Sequence, residues 1–230
     1  MATLTQLRVA VQQKLGLDST AAGVEETLLT GWLNEAVVDV LLRSRCNVNL
    51  ATITTTANVG DYTLPTSILA VQDLTYSDTT GVRQLRRITP EEILRRRFVA
   101  YPGAIVSAYA LNGSDMLMLS PSPTSVNTIS LYYVPRPLPM SSASHDPSDD
   151  AYGGIPLEYQ KAVELYAMAE AAEFTDHQPS GFGGNYRQLY EQKLIEIKRG
   201  MRHKGGRSLG PVILGRRSPA TGSNSMYPVA

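Results

Sequence analysis

Three carboxylates, Asp146, Asp149 and Asp150, stand close enough along the chain to gather on a divalent cation, and calcium binding is the chemistry they would do. The ligand spacing and terminal Glu of an EF-hand are missing, so the stretch reads as a solvated loop. Gly181-Phe182-Gly183-Gly184 has the composition of a phosphate cradle, but no strand precedes it, and a turn between helices explains it better. Arg95-Arg96-Arg97, with Arg83, Arg86 and Arg87 nearby, could contact phosphates. In an acidic surrounding they read instead as a solvated helix face paired to Glu91 and Glu92. His145 and His177 stand in loop-like sequence with no nucleophile motif around them, and Gly-x-Ser-x-Gly, His-Glu-x-x-His and P-loop patterns do not occur. Asn112-Gly113-Ser114 matches a glycosylation acceptor but reads as a turn. No catalytic residue, cofactor site or metal ligand is expected, and the chain does not read as an enzyme.

The totals agree with that. A chain of 230 residues is long enough for one sizeable or two small domains with a self-sufficient core. Its one cysteine, Cys46, excludes an intrachain disulfide and fits a protein made in a reducing compartment. No apolar run approaches the roughly 20 residues of a membrane helix, and no signal pattern opens the chain, so it reads as soluble and not exported by the classical route. Charge is balanced overall but polarised. Residues 1–186 hold 12 Lys and Arg against 19 Asp and Glu, while residues 187–230 hold 9 against 2. An acidic body with a basic end favours docking onto an oppositely charged partner or another copy of itself.

The elements that would position these residues begin with two helices. Leu4, Leu7, Val11 and Leu15 give a short amphipathic helix that Gly16 can close, and Leu29, Trp32, Leu33, Ala36, Val37 and Val40 stripe a second. From residue 47 to 134 the pattern turns to short β-branched and aromatic runs at 52–56, 62–64, 68–76 and 82–88, with turns between, read as a meander. Residues 105–111 and 115–120 flank a tight hairpin, and Ile129, Leu131 and Tyr133 alternate in a last strand. Tyr132 and Tyr133 fall on opposite faces of it. A short helix at 90–98 opens on Thr89-Pro90-Glu91-Glu92.

Residues 135–154 are a linker, and residues 155–204 form a second helix pair. In the last helix Tyr186, Leu189, Tyr190, Leu194, Ile197 and Met201 make one stripe. The helix before it differs, because Tyr159, Val163 and Tyr166 line one side while Leu165 and Met168 line another. A helix apolar around most of its circumference must be covered on several sides, here by its hairpin partner and by either another helix or another subunit. Residues 205–230 form an extended basic tail with one apolar knot, Pro211-Val212-Ile213-Leu214, ordered along a partner surface or not at all. The fold class is α+β: a four-helix bundle from the N-terminal helices (1–46) and C-terminal pair, with an inserted antiparallel β-domain, sandwich or barrel-like, and the tail.

The order helix, helix, β-insertion, helix, helix, tail resembles the head-to-tail adaptor (connector, head-completion) proteins of tailed bacteriophages. The stretches that carry it are Trp32-Leu33-Asn34-Glu35-Ala36, Asp61-Tyr62-Thr63-Leu64-Pro65, Leu117-Met118-Leu119-Ser120-Pro121-Ser122-Pro123, Ile155-Pro156-Leu157-Glu158-Tyr159 and Tyr190-Glu191-Gln192-Lys193-Leu194. They span most of residues 3–204, and the basic tail is the part least tied to the family.

The resemblance implies a structural virion protein with no cofactor. It would form a homo-oligomeric ring, commonly of about twelve copies, in the neck between head and tail after assembly in the host cytoplasm. The implied partners are the portal protein above and a tail, nozzle or stopper protein below, with DNA passing through unbound and no membrane involved. Arg207, Pro211, Val212, Ile213, Leu214, Arg216 and Arg217 would contact portal or a neighbouring subunit, and Tyr159, Val163, Tyr166, Leu165 and Met168 would meet the neighbour's helices. Two rivals stand beside it. A β-sandwich binding module for carbohydrate or a protein ligand explains the Tyr-rich strands but not the four helices, and a basic-tailed nucleic-acid-binding protein explains only the charge at the end.

Overall fold

The computed structural model describes residues 2–16, 25–98, 105–113, 115–176 and 182–204. Helix α1 (Leu4–Leu15) starts in a capping box, in which Thr3 Oγ1 accepts from the Gln6 amide while the Gln6 side chain accepts from Thr3 N–H, and it stops at Gly16 in the left-handed region. Helix α2 (Glu26–Ser44) buries Leu29, Leu33, Ala36, Val37, Val40 and Leu41 and ends on Arg45 at φ 55°.

After the sheets come two 3₁₀ turns (Asp150–Tyr152 and Leu157–Tyr159), helix α4 (Gln160–Asp176) and helix α5 (Phe182–Lys204). Arg187 pairs with Glu170, while Gly200 lies against the Tyr159 ring, so α5 runs antiparallel to α4. Trp32 meets Phe174 at 5.6 Å and Asp39 meets Tyr190 beside Tyr166, so α2 is antiparallel to α4 as well.

Helices α1, α2, α4 and α5 share one apolar core, with α4 touching the other three. Buried alanines 162, 167, 169, 171 and 172 let those neighbours approach α4 closely. Of the two covers expected for α4, another helix or another subunit, the structure supplies the first. Helices of the same chain cover the several apolar sides of α4, and no second copy is needed for it. Along α5, Tyr190, Leu194 and Ile197 are buried as their spacing requires, whereas Leu189 is 46 % exposed.

The β-region is two open sheets, not a barrel and not a meander. One has the order β1 (Asn49–Thr54), β8 (Thr128–Pro135), β3 (Ile68–Asp78), β4 (Gly81–Gln84), antiparallel throughout. The other runs β2 (Asp61–Thr63), β7 (Met116–Ser120), β6 (Ala108–Asn112), β5 (Arg86–Arg87), with β5 and β6 parallel. Inward residues of both, including Leu74, Tyr76, Ile129 and Leu131 from one and Tyr109, Leu117 and Leu119 from the other, form a common core.

The single strand expected at 82–88 is two strands in different sheets, because Leu85 turns into that core and passes the chain across. The last strand is central rather than terminal: β8 lies between β1 and β3, its Ile129 and Leu131 facing inward. The β6–β7 hairpin turns at Asn112-Gly113, with Gly113 at φ 68°. Helix α3 (Pro90–Phe98), with Thr89 Oγ1 accepting from the Glu92 amide, covers the second sheet by placing Ile93 on Ala110 and Met118.

Residues 135–154 do more than connect. The Asn34 side chain clamps Met140, donating to its carbonyl at 3.1 Å and accepting from its amide at 2.8 Å. The His145 carbonyl accepts from the Leu4 amide at 2.7 Å, holding the start of α1. The segment is a strap across the helices.

Candidate functional site

The groups with chemical potential are engaged in holding the fold. Asp146 is buried, contrary to its reading as a solvated loop residue, and accepts from Ser148 N–H, Ser148 Oγ and Gln160 Nε2. Among the described residues no group of three or more His, Cys, Asp and Glu could hold a metal ion. His145 Nδ1 accepts from the Ser141 and Ser142 amides, and its ring stacks on Tyr152. The Cys46 thiol is buried, and burial pushes its pKa up, away from a reactive thiolate.

Three arginines of the cluster, Arg83, Arg96 and Arg97, are paired, though not all with the expected partners. Arg96 reaches Glu92, Arg97 forks onto Asp61 at 2.6 and 3.1 Å, and Arg83 reaches Asp78 at 2.5 Å. No described helix is long and apolar enough to cross a membrane.

What remains open is surface for contact. A groove of about 420 Å³ lies between α2 and the strap. Val38 and Leu42 of α2, Pro137, Leu138 and Pro139 of the strap and Tyr166 of α4 line it. Leu138 is 61 % exposed and Leu42 42 %, so the lining is apolar surface facing water. Its rim is acidic. Glu35 and Asp39 line the groove, and together with Glu170 they raise the Tyr166 pKa, adding to the larger effect of burial. Tyr166 is fixed edge-on to Tyr190 at 5.4 Å, with the Arg187 guanidinium 5.4 Å over its ring. Val82, Ile105 and Val126 are exposed on the β-region, and Ile105 lines a smaller, more polar recess of about 180 Å³ together with Asp78, Thr80 and Asn127.

Of the helix residues expected at a subunit boundary, Tyr159, Val163, Leu165 and Met168 are buried in the chain's own core, and Tyr166 alone borders open surface. Arg207, Pro211, Val212, Ile213, Leu214, Arg216 and Arg217 lie outside the described residues. Sequence reasoning passed over Val38, Leu42 and Leu138. The signal was present: Val38 and Leu42 are four apart on α2, off the buried stripe, and Leu138 is an apolar residue between two prolines.

A family model described as SU10 adaptor protein matches residues 2–214, nearly the whole chain. The chain belongs to the SU10 adaptor protein family. That bears out the resemblance read from the order of elements, and it makes this adaptor a structural protein of the virion and not an enzyme. The match runs past Lys204 and ends on Leu214, so it takes in the apolar knot of the tail, the part that reads as least tied to the family.

No curated protein matches the adaptor's sequence. Among solved structures it is similar to a chain from the neck of an empty GTA (gene transfer agent) particle computed with C6 symmetry. The identity is 16 %, over 81 % of this chain and 87 % of that one, with a TM-score of 0.29. At that overlap the likeness says nothing about assembly here. Family membership sets aside both the β-sandwich and the nucleic-acid-binding readings as functions of the whole chain.

Proposed function

We propose that the adaptor assembles as a ring of about twelve copies beneath the portal, extends the DNA channel and offers its lower face to tail proteins. The observation that carries this reading is the family match across residues 2–214. Charge supports it: residues 1–186 are acidic, and a channel that must release DNA gains nothing from phosphate binding. In this reading α1, α2, α4 and α5 act as one bundle along the channel wall, and the β-sandwich faces outward or toward the tail. The protein assembles in the host cytoplasm and resides in the virion neck during genome ejection.

Mixing the purified full chain with purified portal and weighing the product by native mass spectrometry tests the proposal. A complex carrying about a dozen adaptors per portal is expected. Adaptor that stays monomeric beside intact portal would refute it.

A further inference from the structure

We infer that in the free adaptor the groove between α2 and the strap is covered by the chain's own C-terminal segment, with Val212, Ile213 and Leu214 against Val38, Leu42 and Leu138 and with Arg216 and Arg217 facing Glu35. The contact forms within one polypeptide, so it stands whether or not copies join in a ring.

The groove calls for an apolar occupant with positive charge beside it. Val38 and Leu42 of α2 and Leu138 of the strap leave apolar surface in water. Of the two carboxylates that line the groove, Asp39 is taken up by the Tyr190 hydroxyl and by Arg43. Glu35 is the one left, exposed and without an ion pair among the described residues. Beyond Lys204 the sequence carries Val212-Ile213-Leu214, three bulky aliphatic residues in a row, and after Gly215 come Arg216 and Arg217. The apolar contact supplies most of the affinity of such a segment, and the charge pair fixes its register.

Reach selects the chain's own segment. Tyr190 stands beside Tyr166 and Asp39, at the level of the groove, and α5 runs from there to Lys204. That is roughly 21 Å at 1.5 Å per residue. One interhelical spacing of about 10 Å sideways makes the distance from Lys204 to the groove roughly 23 Å. The residues from Lys204 to Val212 and Leu214 cover about 27–34 Å when extended, which leaves length for the turn. Gly205-Gly206 follows directly on Lys204, and glycine just past a helix end lets a chain fold back without a Cβ penalty. A flexible coil of this length averages roughly 14–19 Å end to end. The span is close to that mean, where a tether holds its ligand at an effective concentration in the millimolar range. A segment from a second copy at micromolar concentration competes with it at a disadvantage of about a thousandfold.

Disulfide trapping in the free, full-length chain tests this, and Cys46, the one native cysteine, is buried. The double variant L138C I213C is oxidised at low micromolar concentration without portal, and the intrachain disulfide is read as a mobility shift that reductant reverses. Its yield is expected at least tenfold above that of V82C I213C and constant on tenfold dilution. Val82 suits the control because it aligns through Ser77 with Thr128, the end of β8 remote from the strap. Adding Glu35→Lys should lower the yield roughly threefold, and Arg216→Glu with Arg217→Glu should restore it. A yield no better than the control would mean that the groove stays open in the free chain, and would overturn the proposal. Cross-links that form between two chains and vanish on dilution would assign the groove to a second copy and overturn it as well.

Discussion

The hydroxyl of Tyr190, a fully buried side chain of α5, donates to the Asp39 carboxylate of α2 and ties the C-terminal helix pair to the N-terminal one. Burial, and then this bond to a carboxylate, raise the Tyr190 pKa well above its ordinary value of 10.0. Because the folded value lies above the unfolded one, the contribution is complete below about pH 10 and is lost as pH rises toward the folded value. Tyr190→Phe should therefore cost about 1–2 kcal/mol at neutral pH. In urea melts, the gap between wild type and variant should narrow at pH 11. A gap that does not change between pH 8 and 11 would contradict the assignment.

Glu164 of α4 bridges two lysines, Lys14 of α1 at 2.8 Å and Lys161 of its own helix. Burial pushes its pKa up, but the two lysines more than offset this and hold it below the ordinary 4.5. The resulting stability is present above the unfolded pKa and disappears as pH falls through the folded one. Glu164→Gln should cost roughly 1 kcal/mol at pH 7, and almost nothing relative to wild type once both melt at strongly acidic pH. Thermal midpoints between pH 2 and 7 supply the comparison.

The strap depends on Asn34, whose side chain satisfies both backbone groups of Met140. Asn34→Ala leaves those groups unpaired and should destabilise by about 1–3 kcal/mol. Amide exchange should rise first at Leu138, Met140 and Ser141, beside the groove. An exchange pattern unchanged there would mean that the clamp does not hold the strap.

Arg97 joins α3 to the second sheet, forking onto Asp61 and donating to the Leu119 carbonyl at 3.2 Å. Gly60 leaves room for it, since a Cβ there would sit 2.6 Å from Arg97 Nη2. A lysine has no fork, so Arg97→Lys should recover little of what Arg97→Ala loses, about 2 kcal/mol in either case. Full recovery by lysine in chemical melts would reduce the contact to simple charge.

The helices were legible in the sequence because apolar spacing and end signals agree locally: the Leu4, Leu7, Val11 stripe stops at Gly16, and Leu29 to Val40 stops before Arg45. The hairpin at Asn112-Gly113 was legible for the same reason. Strand partners were not, since alternation says which face of a strand is buried and nothing about which strand lies beside it. Thus β8 could pair between β1 and β3, and Leu85 could divide one apparent strand between two sheets, without leaving a mark in the pattern. The covering of α4 stayed open between another helix and another subunit because its source, α1 and α2, lies more than a hundred residues away in the chain. Of the candidate site, the acidic polarity and the apolar knot were visible. The groove was not, because it is made by the Asn34 clamp bringing residues 137–139 onto α2.

The central claim is that this adaptor is a ring-forming component of the neck, and imaging particles at the head-to-tail vertex tests it most directly. Cryo-electron microscopy of particles carrying a tagged adaptor should place a closed ring of this chain directly below the portal, around the DNA path. Particles whose necks are complete without the chain, or that hold it as single copies elsewhere on the capsid, would contradict the account.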